Sequence, residues 1–406
     1  MARVKDIEAL RSPDLYKDKP DPSRPDAKSH NSHLKPVLFT FLTTLVIFYL
    51  YQKWIAPTPS SFHPITGGQI NWSLYAYSQY ATDQHYLCNS LMVFASLHKL
   101  NSKADRILFY PKTWDLEITD SKDRTSQLLI MARDKYHVKL RPVEMYTLKR
   151  TSDSEKETWD ASINKLHAFR ETQYNRIIHL DSDITLQQHL DSLFLLPSTP
   201  VIMPRAYWKL NDPDSTEHHK LTSLIIVLEP NTIEAEALWT MAAGLDNSSY
   251  TALSSSSTAF FDMELLNARY ANTALILPHR PYTLLTGEFR RPGKSNHTAY
   301  LGNDHEIWDP QRAVDEAKII HFSDWPLPKP WVMWPNSLLR EVQPQCEFEN
   351  DTPSQHGCEN RIVWKGLYDD FRRRRKEVCM LLSVPAPEWP PRVRSKPPVV
   401  GQDTNG

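Results

Sequence analysis

The 406-residue sequence predicts one α/β domain on an open, mixed central sheet, preceded by a single membrane-spanning helix. Three observations predict it. From residue 73 onward, short apolar runs alternate with segments of helical period, as in open α/β sheets. One run, Ile177-Ile178-His179-Leu180, ends abruptly in Asp181-Ser182-Asp183. Near the N-terminus, residues 37–51 (VLFTFLTTLVIFYLY) carry no charge.

The charged run before that apolar stretch sets its reading. Fifteen residues fall short of the ~20 that a typical span needs. Leu34, Pro36, Trp54 and Ile55 extend the run, with Lys35 and Lys53 snorkelling to the interface. A cleaved signal peptide is disfavoured by the long polar leader and by the lack of a small-residue cleavage pattern. A core helix is disfavoured because the run is apolar all round. The leader carries Arg3, Lys5, Arg11, Lys17, Lys19, Arg24, Lys28 and Lys35. The positive-inside rule therefore puts residues 1–33 in the cytosol, as a disordered tail, and residues 57–406 in a lumen. The expected order is a signal-anchor at 34–56, a Pro/Ser-rich stem at 57–69, a main domain at 70–335, an extension at 336–384 and a Pro-rich disordered tail at 385–406. A short span suits the thinner membranes of the early secretory pathway.

Composition narrows the chemistry. A net charge of −1 gives no field for nucleic acid. Ten glycines and no G-x-G-x-x-G or P-loop pattern argue against a dinucleotide or Walker-type phosphate site. Four sequons, Asn71-Trp72-Ser73, Asn247-Ser248-Ser249, Asn296-His297-Thr298 and Asn350-Asp351-Thr352, agree with a luminal domain. Of the four cysteines, Cys88 sits in an apolar helical run and reads as core, while Cys346 and Cys358 flank a short polar loop and could pair in an oxidising lumen.

Residues 73–80 (SLYAYSQY) read as the first strand and Ala81-Thr82-Asp83-Gln84-His85 as a turn. Residues 86–100 have helical spacing, with Leu87, Leu91, Phe94 and Leu97 on one side. A strand at 106–110, a helix at 125–136 and a strand at 137–142 complete a β-α-β-α-β opening. Residues 151–160 are loop-like. A helix at 161–174 runs into the strand ending at Asp181. Residues 200–203 and 222–228 (TSLIIVL) read as strands, 211–220 as a polar loop, 232–243 as a helix, 248–258 as a Ser-rich mobile segment and 262–270 as a helix. Short apolar strands follow at 274–277 and 318–321. From Trp331 on, Trp and Pro punctuate a segment covering the domain edge. A helix is expected at 368–382, with the Arg372–Arg375 run as a solvated face.

Asp181 and Asp183 carry the functional signal. On an extended segment, residues i and i+2 point the same way. Ligands of open α/β sheets gather at the carboxyl ends of the strands. The pair could converge on one hard cation holding a phosphate, or it could simply be an acidic turn.

Three separated stretches resemble glycosyltransferase family 8, the glycogenin-like retaining transferases. They are Tyr80-Ala81-Thr82-Asp83-Gln84-His85-Tyr86; Asn164-Lys165-Leu166-His167-Ala168-Phe169 with Asp181-Ser182-Asp183; and Ala317-Lys318-Ile319-Ile320-His321-Phe322 with Lys329-Pro330-Trp331. Within that family the chain looks nearest to the fungal Golgi N-acetylglucosaminyltransferases, on residues 72–77 and 86–92. The resemblance implies a Rossmann-like nucleotide-sugar-binding domain of the GT-A type. It implies Mn²⁺ held by Asp181, Asp183 and His321, and a UDP-sugar donor, UDP-GlcNAc, contacted by Tyr80, Thr82, Asp83, Tyr86 and Ser182. Lys165 and Lys329 would neutralise the donor phosphates. Thr222, Ser223 and Asp262 would touch the donor sugar. Thr222 and Met263 depart from the Asn and Gln that the family pattern has there. The implied partners are that donor and a glycan acceptor, of N-glycan or mannan type. The expected mechanism is front-face substitution, with Asp262 and Lys165 as the side chains nearest the chemistry. A glucosyl- or galactosyltransferase, or an inactive nucleotide-sugar- or glycan-binding protein, remains an alternative.

Overall fold

The computed structural model describes residues 69–118, 120, 122–148, 160–209, 220–245, 261–293, 297–324, 327, 329–346, 348–349, 352–353, 358–380 and 384–385. The leader, the anchor expected at 34–56 and nearly all of the stem lie outside them. So do all but the last residue of the loops expected at 151–160 and 211–220, the Ser-rich segment at 248–258 and the tail beyond 385. Among the described residues no helix is long and apolar enough to cross a membrane.

The strands of the two larger sheets, in chain order, are β1 (Tyr75–Tyr80), β2 (Asp105–Pro111), β3 (Val138–Val143), β4 (Arg176–Leu180), β5 (Ile184–Leu186), β6 (Val201–Pro204), β7 (Ile225–Leu228), β8 (Leu275–Leu277), β9 (Leu284–Leu285) and β10 (Ile319–His321). The main helices are α1 (Gln84–Lys99), α2 (Arg124–Tyr136), α3 (Thr232–Leu245), α4 (Asp262–Tyr270), α5 (Pro310–Glu316), α6 (Asn336–Val342) and α7 (Glu359–Cys379). Seven strands form the central sheet in the order β3-β2-β1-β4-β7-β6-β8. β1 runs parallel to β2 and β4, whereas β7 runs antiparallel to β4 and β6, so the sheet is mixed. The chain leaves β1 toward β2 and β3 and returns on the other edge as β4. That reversal puts a topological switch point at the carboxyl ends of β1 and β4, the place where open sheets bind ligands.

Alternation along the strands builds a core on each face. Tyr77, Leu108, Ile178, Leu180, Ile225 and Val227 join one cluster, which includes side chains of α1, α2 and α7. Ala76, Ile107, Phe109, Ile177, Ile226 and Leu228 join the other, with Leu166, Phe169, Leu238 and Leu266. The inner strands β1, β2, β4, β6 and β7 are buried on both faces, which is why they read as near-continuous apolar runs.

A second, three-stranded sheet decides where the site forms. β5 follows directly after the two carboxylates and pairs antiparallel with β10, with Ile184 opposite His321. β9 lies on the other side of β10, parallel to it.

The structure revises several expectations. Residues 161–174 do not form one α-helix: Ser162–Arg170 is a 3-10 segment, followed by a turn before β4. The Asn164 amide fixes that segment by donating to the Ala161 carbonyl (2.7 Å) and the Tyr146 carbonyl (2.7 Å). The strand expected at 222–228 begins only at Ile225, because Thr222 and Ser223 belong to the approach to the site. The C-terminal helix starts at Glu359, nine residues before position 368. Its Arg run is only in part a solvated face: Arg373 is exposed, Arg372 and Arg374 are half-buried, and Arg375 is fully buried. Cys346 pairs with Cys358, and Cys88 is not a free core thiol but bridges to Cys379, 291 residues away.

Candidate active site

The site is assembled where β1, β4 and β10 end. Asp181 follows β4; its N–H donates to the Leu224 carbonyl (2.9 Å) and its carbonyl accepts from Gln79 Nε2 (3.3 Å). Ser182 is buried at the apex between the two carboxylates. The Asp183 carbonyl accepts from the Phe322 N–H (3.0 Å), the bond that follows from β5–β10 pairing. His321 Nε2 then stands 3.1 Å from Asp183 Oδ1. One ligand atom from each of Asp181, Asp183 and His321 lies within 4.8 Å of the others. These residues fit a divalent cation. Two carboxylates and an imidazole converge, and His321 Nδ1 is buried without a hydrogen-bond partner, so the ring is held by its backbone and packing with Nε2 toward the carboxylates.

Two lysines serve the carboxylates differently. Lys329 Nζ lies 2.5 Å from Asp183 Oδ2, with its side chain 28% exposed. Lys165 is 2% exposed and reaches Asp181 Oδ1 (3.0 Å), Asp262 Oδ2 (2.6 Å) and the Ser223 carbonyl (3.1 Å). Its three protons are all taken by protein acceptors. Lys165 therefore ties Asp181 to Asp262, where the resemblance implied contact with a donor phosphate.

Asp262 opens α4, and both of its oxygens are occupied. Oδ1 accepts from Ser162 Oγ (2.5 Å) and Oδ2 from Ser223 Oγ (2.5 Å) and Lys165. Ser162 and Lys165 are three apart in a 3-10 segment, so they share one face. Burial opposes ionisation of Asp262, but the Lys165 ammonium and its hydrogen bonds hold the carboxyl below its ordinary value. Asp183 behaves likewise: burial is outweighed by Lys329 and His321, and the group stays ionised. Asp181 is driven the other way by burial, with Lys165 opposing and Asp183 adding to the rise. Both lysines have raised values: burial lowers them, but the carboxylates more than offset it. Thr222 is buried beside Ser223, its hydroxyl accepting from the Leu224 N–H (3.4 Å).

The β1–α1 turn forms another wall. Asp83 is the N-cap of α1, its Oδ1 accepting from the His85 N–H (2.7 Å) and the Tyr86 N–H (2.9 Å). Thr82 lies half-buried just before it. Tyr80 stacks on the buried His179 ring (centroids 5.9 Å, planes 11° apart). Burial and then the Asp181 and Asp262 carboxylates push the Tyr80 phenol well above its ordinary value. Tyr86 packs edge-on against Trp331 (5.2 Å), and burial raises its phenol to about 12.

Every residue expected at the site thus lies around the ends of β1, β4 and β10 or the start of α4. Sequence reading missed Gln79, Ser162 and His179. Ser162 was detectable from its spacing to Lys165 only if the segment was known to be 3-10. Gln79 and His179 looked like ordinary buried strand residues.

Comparison with known proteins follows the same direction. No family model matches the chain. Glucose N-acetyltransferase 1 of Aspergillus fumigatus is 50% identical over 339 residues, 84% of this chain and 85% of its own. The protein of that name from Gibberella zeae is 43% identical over 321 residues, 79% of this chain and 66% of its own. The Saccharomyces cerevisiae protein is 25% identical, covering 78% and 83%. Among solved structures, the galactosyltransferase LgtC in complex with donor and acceptor sugar analogues aligns with TM-score 0.43 and 10% identity, covering 77% of this chain and 97% of its own. Mouse xyloside xylosyltransferase 1 aligns with TM-score 0.38 and 15% identity, covering 63% and 99%. At half identity to the Aspergillus fumigatus protein over most of both chains, this chain belongs to the glucose N-acetyltransferase 1 family.

Proposed function

We propose that this glycosyltransferase is a GT-A-type, Mn²⁺-dependent, retaining enzyme that transfers N-acetylglucosamine from UDP-GlcNAc to a glycan of N-glycan or mannan type. The observation that carries the reading is the convergence of Asp181, Asp183 and His321 at the carboxyl ends of β4 and β10, with Lys329 beside them. Mixed oxygen and imidazole ligands suit Mn²⁺ better than Ca²⁺. Bound there, the ion supplies Lewis-acid stabilisation of the charge on the departing diphosphate.

The chain's own residues supply the rest. Lys329 is a compact cation at the rim, placed to meet phosphate oxygens that would compete with Asp183 for its ammonium. Tyr80 and Tyr86 line the wall where a uracil and ribose would rest. Asp262 cannot readily serve as a covalent nucleophile, since both of its oxygens accept hydrogen bonds within the protein. A double displacement would need a free carboxylate. Front-face substitution does not: the acceptor hydroxyl attacks the anomeric carbon on the side from which the diphosphate leaves, and a departing phosphate oxygen takes the hydroxyl proton.

A type II Golgi membrane protein with a luminal catalytic domain is the setting we infer. The uncharged run at 37–51, the basic leader and two disulfides support it, since disulfides persist in oxidising compartments. The test is a nucleotide-sugar panel presented to the purified protein and scored for Mn²⁺-dependent hydrolysis. Preferential turnover of UDP-GlcNAc is expected. Turnover confined to UDP-glucose or UDP-galactose would reassign the donor, and UDP binding without turnover of any sugar would refute an active enzyme.

A further inference from the structure

We propose that Arg375, near the C-terminal end of α7, is a positioning residue for the donor diphosphate, acting through Trp331 and Tyr86 on Lys329. The inference rests on the reading of Asp183 and Lys329 as part of the donor-binding centre.

Arg375 is fully buried and far from the cation ligands in sequence. Its guanidinium donates to Asn89 Oδ1 (2.7 Å), His85 Nδ1 (2.8 Å) and the His85 carbonyl (3.2 Å), all on α1. These acceptors lie in the first turns of the helix that Asp83 caps, so one side chain fastens the β1–α1 turn from behind. The same guanidinium stands over the Trp331 ring, 5.8 Å from its centroid. Trp331 in turn meets the Tyr86 ring edge-on at 5.2 Å. Lys329 is two residues away, and the Val332 N–H donates to the Lys329 carbonyl (2.9 Å), which closes a turn from Lys329 to Val332. Trp331 cannot shift without moving that turn, and the turn carries the ammonium that meets Asp183 at 2.5 Å.

A surface arginine run would do none of this. Burial lowers the Arg375 value to about 10, and among the described residues no carboxylate pairs with it directly. A buried cation held by neutral acceptors costs solvation free energy. A Lys could not make this fork, because its ammonium is a single point rather than a plane of five donors. The rest of α7 supports the same edge. Phe371 packs against both Phe322 (4.8 Å) and Trp331 (6.4 Å), and Phe322 adjoins His321. The bridge from Cys379 to Cys88 fastens the helix end beside Asn89.

The experiment compares wild type, Arg375→Gln and Arg375→Lys in the full chain. UDP affinity in Mn²⁺, KM for UDP-GlcNAc, kcat and thermal midpoint are measured. Arg375→Gln should raise the Kd for UDP and the KM for the donor by about tenfold, a loss on the scale of one hydrogen bond to a charged group. Its kcat should stay within about twofold, because uniform donor binding is lost rather than transition-state contact. Arg375→Lys should raise Kd to a smaller extent, and it decides the matter if Arg375→Gln does not fold. A lowered midpoint with unchanged Kd and KM in the folded variants means a structural role only and overturns the inference. A fall in kcat at unchanged KM also overturns it. Wild-type protein that binds no UDP overturns the donor reading and this inference with it.

Discussion

At the scale of single residues, Lys165 is the joint of the site. It is 2% exposed and counters two carboxylates, Asp181 and Asp262, at 3.0 and 2.6 Å. Removing one partner of a buried ionic cluster leaves the others uncompensated, which costs about 3–5 kcal/mol. Lys165→Met should therefore lose stability on that scale in urea unfolding and lose transfer activity in the folded fraction. Stability within about 0.5 kcal/mol of wild type would mean that the triad is not fastened as described. Asp183→Ala tests the opposite kind of residue, one proposed to hold the cation. It should abolish Mn²⁺-dependent UDP-GlcNAc hydrolysis while leaving the fold intact by circular dichroism. Full activity of this variant in EDTA would sink the metal assignment. Asp262→Asn should lower kcat more than it weakens UDP binding, because the remaining carbonyl oxygen still accepts from one serine while the charge that holds Lys165 is gone. Residues of this site were legible in unequal measure. Asp181 and Asp183 stood out because an apolar strand ended on them. Lys165 also stood out, but its task did not, since a buried amine and an exposed one look alike in a sequence.

At the scale of elements, the 3-10 segment Ser162–Arg170 carries both Ser162 and Lys165 and must be clamped to the sheet. His167 does part of that clamping. Its ring packs against Phe109 (5.7 Å) and Trp239 (4.9 Å), and its Nε2 lies 3.2 Å from the Glu144 carbonyl. Burial, with a contribution from the nearby Arg170, lowers its value from 6.5 to about 4. The unfolded chain therefore binds a proton that the folded chain refuses. The stabilisation is complete above pH ~6.5 and is lost progressively as the pH falls toward 4, by about 3 kcal/mol in all. His167→Phe keeps an aromatic ring and cannot titrate, so its stability should be flatter than that of wild type between pH 4 and 6.5 when measured by urea unfolding. An unchanged slope would remove His167 as the source. This element was also the least legible one. Residues 163–169 are all buried, so no exposed face marks a period of 3.0 rather than 3.6. What selects the tighter form is tertiary: Asn164 bonds to Tyr146, eighteen residues upstream. The strands of the central sheet, by contrast, were located to within one to three residues, because the buried ones leave continuous apolar runs bounded by turns; β5 and β9, too short to leave such runs, were not anticipated.

At the scale of the whole molecule, the C-terminal extension is part of the core on one face of the sheet. Trp364, Tyr368, Phe371 and Cys379 of α7 are buried with Leu87, Leu91 and Phe94 of α1. Their spacing of four, three and eight residues is a single helical stripe, and it was available in the sequence. Its partner was not, because no local signal joins Cys379 to Cys88 across 291 residues. The same distance sets the worth of the bridge. Closing a loop of that length removes unfolded-state entropy equivalent to about 5 kcal/mol, against about 3 kcal/mol for the Cys346–Cys358 loop. Cys88→Ala combined with Cys379→Ala should therefore destabilise the protein more than Cys346→Ser combined with Cys358→Ser. The first pair should also weaken UDP binding, because it frees the helix that carries Arg375. The second pair closes a short local loop and should leave UDP binding unchanged. Guanidinium unfolding ranks the two losses, and calorimetric titration of UDP in Mn²⁺ reads the difference in affinity. If both double variants bound UDP as wild type does, the long bridge would hold only the core, and Arg375 would keep its place against Trp331 without it.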